Sequence, residues 1–422
     1  MTISSLMLWL VSFILLYYLI FWLLVYVEPE RKDEEYEEEN VASLHGYPMV
    51  TILIPAYNER KRIIPTIQSA ASLNYPKERI EIIVIDDGSK DGTYDVVSSL
   101  SRLKSNYSIK LLKKENGGKG SALNLGLKHA HGEFAAIMDA DSFIEKDALM
   151  KMLPHFEDED VGIVLPVMKV RSPASMIQRI QAVEYLVNIF YKKIMARLNC
   201  VHVAPGPFSV FRVSHLKEIG GFSETRNLAE DMEVTIRMQK ANYTILQLNG
   251  VTVETIAPNS LKDLVKQRNR WYKGTVQNIV IHRDTMFNRK YGDFGMMQMP
   301  MAALSIGIVL LATFVLTLLT VKPWLRFAIN LSLVNFDVFT FIRSMHFTFL
   351  LLDINAMRFV VYMIMMLLTV LLIVISHKKF RKGHNRSVII PSLYYLLLYS
   401  FFLGVVWWQV MIEVIRRKWQ VW

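Results

Sequence analysis

The stretch Glu81–Ser89, EIIVIDDGS, is a short apolar β-branched run that stops abruptly at two carboxylates and a glycine. A run of this length and composition reads as a strand buried on both faces, as strands in parallel sheets are. The same pattern recurs on either side. Met49–Ile54 (MVTILI) stops at Pro55, a further strand is expected near Ile109–Leu112, and Phe134–Met138 stops at Asp139-Ala140-Asp141. Helical stretches lie between them at Arg62–Leu73 and Lys119–Ala130. Buried strands alternating with helices predict an α/β domain with a parallel, Rossmann-like sheet. Ligands of such sheets bind beyond the carboxyl ends of the strands, which is where the acidic motifs Asp86-Asp87 and Asp139-Ala140-Asp141 fall.

Each motif has a functional and a purely structural reading. Asp139 and Asp141, one residue apart after a strand, suit a hard divalent cation such as Mg²⁺ or Mn²⁺; acidic turns are also common. Asp86-Asp87-Gly88-Ser89 is a turn sequence, and equally a carboxylate pair able to accept hydrogen bonds from a base or ribose. Asn116-Gly117-Gly118-Lys119-Gly120 precedes a helix, where glycine allows close backbone approach and the helix start plus Lys119 favour an anion. It is not a G-x-x-x-x-G-K-[ST] loop, so a P-loop nucleotidase is excluded. Glu230-Asp231 opens a helical run, as either dipole-favoured acids or a general base beside an acceptor hydroxyl. In the helical stretch Leu261–Ile281, Gln267, Arg270 and Trp271 fall at i, i+3 and i+4 and share a face. That face is either a membrane-surface face or one that neutralises a diphosphate and stacks on a sugar ring.

The order of these motifs carries more than any one of them. Pro55-Ala56-Tyr57-Asn58-Glu59, DDGS at 86–89, GGKGSALN at 117–124, DAD at 139–141, ED at 230–231 and QRNRW at 267–271 resemble family 2 glycosyltransferases of the GT-A fold. The resemblance is strongest to the processive membrane synthases of hyaluronan, chitin, cellulose and poly-N-acetylglucosamine, and covers roughly residues 50–273. It implies a UDP-sugar donor whose uridine is held by Tyr57, Glu59 and Asp87, with Asp86 assisting. It implies Lys119 at the diphosphate, Asp139 and Asp141 at the nucleotide and its Mg²⁺ or Mn²⁺, and Asp231, with Glu230 beside it, as the catalytic base. Gln267, Arg270 and Trp271 would cap the diphosphate and position the acceptor end, which Gly206 and Pro207, in a strand-like segment, would also line. The implied reaction is inverting transfer to a growing β-linked polysaccharide, passed through the protein's own helices. The alternative is a single addition to a polyprenyl-phosphate-linked or glycolipid acceptor. Two departures bear on secretion: one clear span before the catalytic domain, and no match to a gating loop after QRNRW.

The ends of the chain are apolar. Leu6–Val27 carries no charge over 22 residues, about the length that spans a bilayer core. No basic residue precedes it and no small-residue cleavage site follows, so it reads as an anchor rather than a signal peptide. Met296–Val321, Phe359–Ser376 and Val388–Ile412 are likewise free of charge. Trp324–Leu352 is interrupted by Arg326, Asp337, Arg343 and His346 and reads as an interfacial or re-entrant segment, or a fifth span. The basic loop His377–Ser387 places that side, and the catalytic domain, in the cytoplasm of a multi-pass plasma-membrane protein. The expected organisation is an anchor at 1–27, an acidic linker at 28–46, a GT-A domain at 47–295 and a membrane region at 296–422. The net charge of +10 is explained by residues flanking apolar spans and facing lipid headgroups; no nucleic-acid-binding motif accompanies it. Cys200 is the one cysteine, so no internal disulfide exists.

Overall fold

The structure is a computed structural model that describes residues 3–27, 46–102, 108–225, 227–333, 356–380 and 389–417. Eight strands among these form one sheet: β1 (Val50–Ala56), β2 (Ile80–Asp86), β3 (Ser108–Lys113), β4 (Phe134–Ile137), β5 (Ser142–Ile144), β6 (Val161–Val170), β7 (Ser209–Arg212) and β8 (Thr244–Thr255). Their order is β3-β2-β1-β4-β7-β6-β8-β5. The first four strands are parallel, as the sequence predicts. The sheet then becomes mixed, because β7 runs antiparallel to both β4 and β6. β5 leaves the DAD turn and pairs antiparallel with β8 at the far edge.

β1 and β2 are buried along their whole length, so each must cover both of its faces. Side chains alternate across a strand, and the core divides accordingly. Leu53, Ile83 and Ile85 face one cluster, with Leu123, Phe190 and Met232. Ile52, Ile54, Ile82 and Val84 face the other, with Ile63, Ile67 and Val97. β1 does not stop before Pro55 but continues to Ala56. Its pairing with β4 ends at Leu53, whose carbonyl accepts from Met138 N–H at 2.9 Å. Beyond that point the β4 flank of the strand has no ladder, and proline's missing N–H is tolerated there.

The apolar helix α1 (Ile3–Val27) precedes the domain, whose helices are α2 (Ile63–Ala71), α3 (Thr93–Arg102), α4 (Lys119–Lys128), α5 (Ala148–Met152), α6 (Met176–Arg197), α7 (Val213–Glu218), α8 (Glu230–Lys240) and α9 (Leu261–Ile281). α6 begins with a capping box, Ser175 with Gln178, which satisfies two backbone donors reciprocally. The domain is followed by α10 (Met299–Leu333), α11 (Ala356–Phe380), α12 (Ile389–Tyr394) and, after the π turn Tyr395–Tyr399, α13 (Ser400–Ile415).

Among the described residues four helical segments are long and apolar enough to cross a membrane: Leu6–Val27, Phe294–Leu333, Phe359–Lys378 and Ile389–Ile415. Large apolar side chains such as Leu10, Phe13, Leu24, Leu367 and Leu397 are exposed on them. The helix expected to end at Val321 runs on through Pro323 to Leu333. Its 35 residues extend about 52 Å at about 1.5 Å per residue, well beyond a hydrocarbon core of about 30 Å. The rest of the 324–352 segment, the acidic linker up to residue 45 and most of the basic loop after Phe380 lie outside the described residues.

The two parts are bolted together. Arg197 at the end of α6 donates to the carbonyls of Val25 and Tyr26 at 2.9 and 3.2 Å, satisfying acceptors that the end of α1 leaves open. Trp22 meets Tyr191 edge-on at 5.2 Å, and Tyr26 packs on Phe190 at 4.9 Å. α9 lies along α13, with Tyr272 stacked on Trp407 at 4.1 Å and Lys273 paired with Glu413 at 2.6 Å.

Leu53 is fully buried at the centre of β1. Leu53→Ala is expected to lower stability by about 2–5 kcal/mol, visible as a reduced thermal midpoint in detergent. An unchanged midpoint would show that this face of β1 is not packed as described.

Candidate active site

The loops after β1, β2 and β4 and the first turns of α4 and α8 meet at one end of the sheet, joined by side-chain contacts. Asn58 takes a left-handed backbone (φ 57°), a conformation asparagine tolerates. Its N–H donates to Ser89 Oγ at 2.9 Å and its Oδ1 accepts from Lys90 N–H at 2.9 Å. The Tyr57–Glu59 loop is thereby pinned to the DDGS loop, with Tyr57 and Glu59 half-buried.

The two aspartates of DDGS have separate fates. Asp87 accepts from the N–H groups of Gly117 and Gly118 at 3.0 and 2.9 Å and pairs with Lys114 at 2.8 Å. It therefore shapes the glycine loop that starts α4, where Gly118 has φ 90°. Asp86 is 1% exposed and, among the described residues, neither carboxylate oxygen has a hydrogen-bond partner. A buried unpartnered carboxylate is costly, and a hydrogen-bond donor reaching Asp86 would relieve that cost. The sequence reading gave the part of accepting from a ligand first to Asp87 and only assistance to Asp86.

Lys119, the first residue of α4, holds the centre. Its ammonium pairs with Asp139 at 2.6 Å and Glu230 at 2.8 Å. Those carboxylates, with Asp231, raise its pKa against the opposing effect of burial, so it stays charged. Gly206 lies directly behind this pair, and a Cβ there would come within 2.6 Å of both Asp139 carboxylate oxygens. Its carbonyl accepts from Asp139 N–H at 3.0 Å. Gly206 and Pro207 are buried in a turn leading into β7 rather than in a strand.

Asp231 sits in the first turn of α8 and its Oδ1 accepts from Met232 N–H at 2.8 Å. Burial, then the charge of Glu230, push its pKa up to about 6, with Lys119 opposing. Asp141 is likewise pushed up to about 6 by burial and Asp139. Glu59 is raised to about 7, chiefly by burial, with Asp141 and Asp139 adding to it.

Besides Lys114, two basic residues at the site lie outside the motifs read from the sequence. Arg62 reaches both Glu59 (3.8 Å) and Asp141 (3.9 Å); its spacing of three residues from Glu59 on a helix start was the available signal. Lys192 on α6 has its pKa drawn down to about 8 by burial, with Asp231 as the opposing charge; nothing in its local sequence marks it.

Among the described residues no group of three or more His, Cys, Asp or Glu side chains forms a metal cage. Asp139 and Asp141 nevertheless fit Mg²⁺ or Mn²⁺, which take one or two carboxylates and complete their shell with water and substrate phosphate. The raised Asp141, with its nearest cation 3.9 Å away, is a carboxylate that such an ion would relieve.

The QRNRW segment is helical as expected, and the later turns of the same helix dock on the residues before α8. Asn278 donates to the Ala229 carbonyl at 2.9 Å, and Leu228 N–H donates to Gln277 Oε1 at 3.3 Å. This fixes α9 against the residues that start α8. Gln267 carries a buried side-chain oxygen without a partner, while Arg270 and Trp271 are half-buried. The deeply buried guanidinium is Arg268, paired with Glu184 at 2.6 Å.

The family model described as glycosyl transferase family 2 matches residues 51–220. This stretch is a family 2 glycosyltransferase domain. The glycosyltransferase domain holds Tyr57 through Gly206, whereas Glu230, Asp231 and the QRNRW helix lie beyond the matched residues. A poly-β-1,6-N-acetyl-D-glucosamine synthase of Staphylococcus epidermidis is 28% identical over 71% of this chain and 73% of its own length. The synthase of the same name from Staphylococcus aureus strain COL is 31% identical over 56% of each chain. The domain's fold is that of a mannosyltransferase from Pyrobaculum calidifontis, solved in complex with GDP-Man and Mn²⁺. That structure is 21% identical, covers 75% of this chain and 91% of its own, and aligns with a TM-score of 0.54.

Two stability measurements separate these roles. Asp87→Asn is expected to lower the thermal midpoint, because it strips the charge from a buried pair, whereas Asp86→Asn leaves it unchanged or higher. The reverse order would exchange the roles of the two residues. For Glu59, the folded pKa of about 7 lies above its ordinary 4.5. The folded protein therefore holds the proton more tightly, and this group lowers stability as pH rises from about 4.5 to about 7. Glu59→Gln should melt higher than the parent at about pH 8 and alongside it at about pH 4; parallel curves at both would overturn the assignment.

Proposed function

We propose that this chain is a membrane-embedded, inverting glycosyltransferase that extends a β-linked polysaccharide from a UDP-activated sugar, with UDP-N-acetylglucosamine as donor. The observation that carries it is Lys119, held between Asp139 and Glu230 with the raised carboxylate of Asp231 alongside. The names of the two staphylococcal relatives support the donor and the polymer. The basic loop after α11 supports a multi-pass protein with its catalytic domain in the cytoplasm.

In this reading Tyr57, Glu59 and the unpartnered Asp86 receive the uridine, and Asp87 acts by shaping the glycine loop. Lys119 and Arg270 neutralise the departing diphosphate, with Gln267 beside them. Asp139 and Asp141 would hold Mg²⁺ or Mn²⁺, which supplies further positive charge at the diphosphate. The acceptor hydroxyl approaches from the side lined by Gly206, Pro207 and Trp271. Asp231 takes its proton as the oxygen bonds to the anomeric carbon, and the bond to the diphosphate breaks with its electron pair leaving on UDP. Attack from the face opposite the leaving group inverts the configuration.

The test is UDP release by the detergent-purified chain across a panel of UDP-sugars with Mn²⁺, Mg²⁺ or EDTA. Release with one donor, lost in EDTA and reduced on the order of 10²–10⁴-fold in Asp231→Asn, is the expected result. Activity should also fall as pH drops through about 6, where Asp231 gains its proton. Asp231→Asn that turns over normally while binding UDP would remove Asp231 as the base. Product sizing then separates a ladder of chain lengths from a single sugar on a lipid-linked acceptor.

A further inference from the structure

Arg268 lies inside the QRNRW motif, yet it turns away from solvent into the protein. Its side chain is 4% exposed, and Nη2 meets Glu184 Oε2 at 2.6 Å. Glu184 lies on α6, equally buried at 9%. The guanidinium also sits over the Trp271 indole, 4.4 Å from the ring centroid, inside the range of a cation–π contact. The same Glu184 oxygen accepts from the Tyr399 hydroxyl at 3.0 Å. Tyr399 closes the π turn Tyr395–Tyr399, in the segment that leads to α13. Three elements thus converge on one carboxylate, and the chain of contact runs Tyr399–Glu184–Arg268–Trp271.

The chemistry favours orientation over charge neutralisation. A planar guanidinium fixed by a carboxylate presents one defined face, and the ring stacked on that face loses rotational freedom. A lysine at position 268 would keep the ion pair but lose the plane. Among the described residues no hydrogen bond or ion pair joins Glu184 or Arg268 to the acidic centre; the ring they hold is that of Trp271.

We infer that Glu184 is a positioning residue for Trp271, acting through Arg268, and that Tyr399 ties this acceptor-side ring to the C-terminal membrane segment. The inference rests on Trp271 serving the acceptor end, as proposed above. It goes further by naming residues outside the motif's shared face, and by making acceptor use depend on how a membrane segment is seated. A break in this relay should weaken acceptor use while the donor site stays intact.

The experiment compares Glu184→Gln and Arg268→Lys with the parent as full-length protein in detergent. UDP affinity serves as the check on folding, and a β-1,6-linked N-acetylglucosamine oligomer serves as the acceptor probe. Both variants are expected to bind UDP as the parent does and to lose kcat/KM for the oligomer on the order of 10²-fold. In a Trp271→Ala background, adding Glu184→Gln should cost little more, since both changes act through the same ring. Full additivity in that background, an unchanged kcat/KM, or loss of UDP binding in both variants would overturn the inference, the last by making the cluster a folding element. Oligomer affinity by calorimetry reads the same coupling without turnover. A parent that binds oligomer but releases no UDP would therefore sink the transfer reading and still decide this one.

Discussion

The ammonium of Lys119 lies between Asp139 at 2.6 Å and Glu230 at 2.8 Å, and the arrangement of the catalytic end of the sheet follows from it. Asp139 lies in the turn after β4, Lys119 begins α4 and Glu230 begins α8, so a single cation joins three places that are distant in sequence. Without it, the carboxylates of Asp139 and Glu230 would face one another with no cation between them. Gly206 is the steric counterpart of this constraint, since any side chain there would collide with the pair. The acids at the site are then under-compensated: Asp141, Asp231 and Glu59 all carry raised pKa values. Burial is the largest cause in each, with neighbouring carboxylates adding to it.

The second constraint is the junction between the catalytic domain and the membrane helices. α9 is bound to the domain through Asn278 and Gln277 on one side. On the other, Lys273 and Asn269 meet Glu413, Tyr272 stacks on Trp407, and Arg268 reaches Glu184 beside Tyr399. Polar contacts sequestered from water are held firmly because their alternatives are unsatisfied charges. The helix that carries Trp271 is therefore held against α13, a segment apolar enough to span a bilayer.

Much of the fold was legible because it depends on local pattern. The run Ile82–Ile85 is too apolar and too short for anything but a doubly buried strand, and β2 is found there. The helices at 63–71 and 119–128 and the strands at 108–113 and 134–137 lie within a few residues of their expected positions. The four apolar segments also stand where their lack of charge placed them. The mixed part of the sheet was not legible. β7 is only four residues long, and its direction is set by the partners it reaches, not by its own side chains. The candidate site divides in the same way: type and order singled out Asp139, Lys119 and Glu230, and the structure brings these three side chains together. The separate hydrogen bonding of Asp86 and Asp87, the reach of Arg62 to Asp141 and the burial of the Glu184–Arg268 pair were not legible.

The sequence by itself determined the strand–helix alternation, the position of acids at strand ends and the apolar ends of the chain, because periodicity, turn chemistry and hydropathy act over a few residues. Only the tertiary structure decided which of two adjacent aspartates is used up by backbone N–H groups, which arginine of QRNRW is buried, and which carboxylates have their pKa raised. Those outcomes depend on groups brought together from dozens to more than a hundred residues apart, and on burial that no single segment carries in its own sequence.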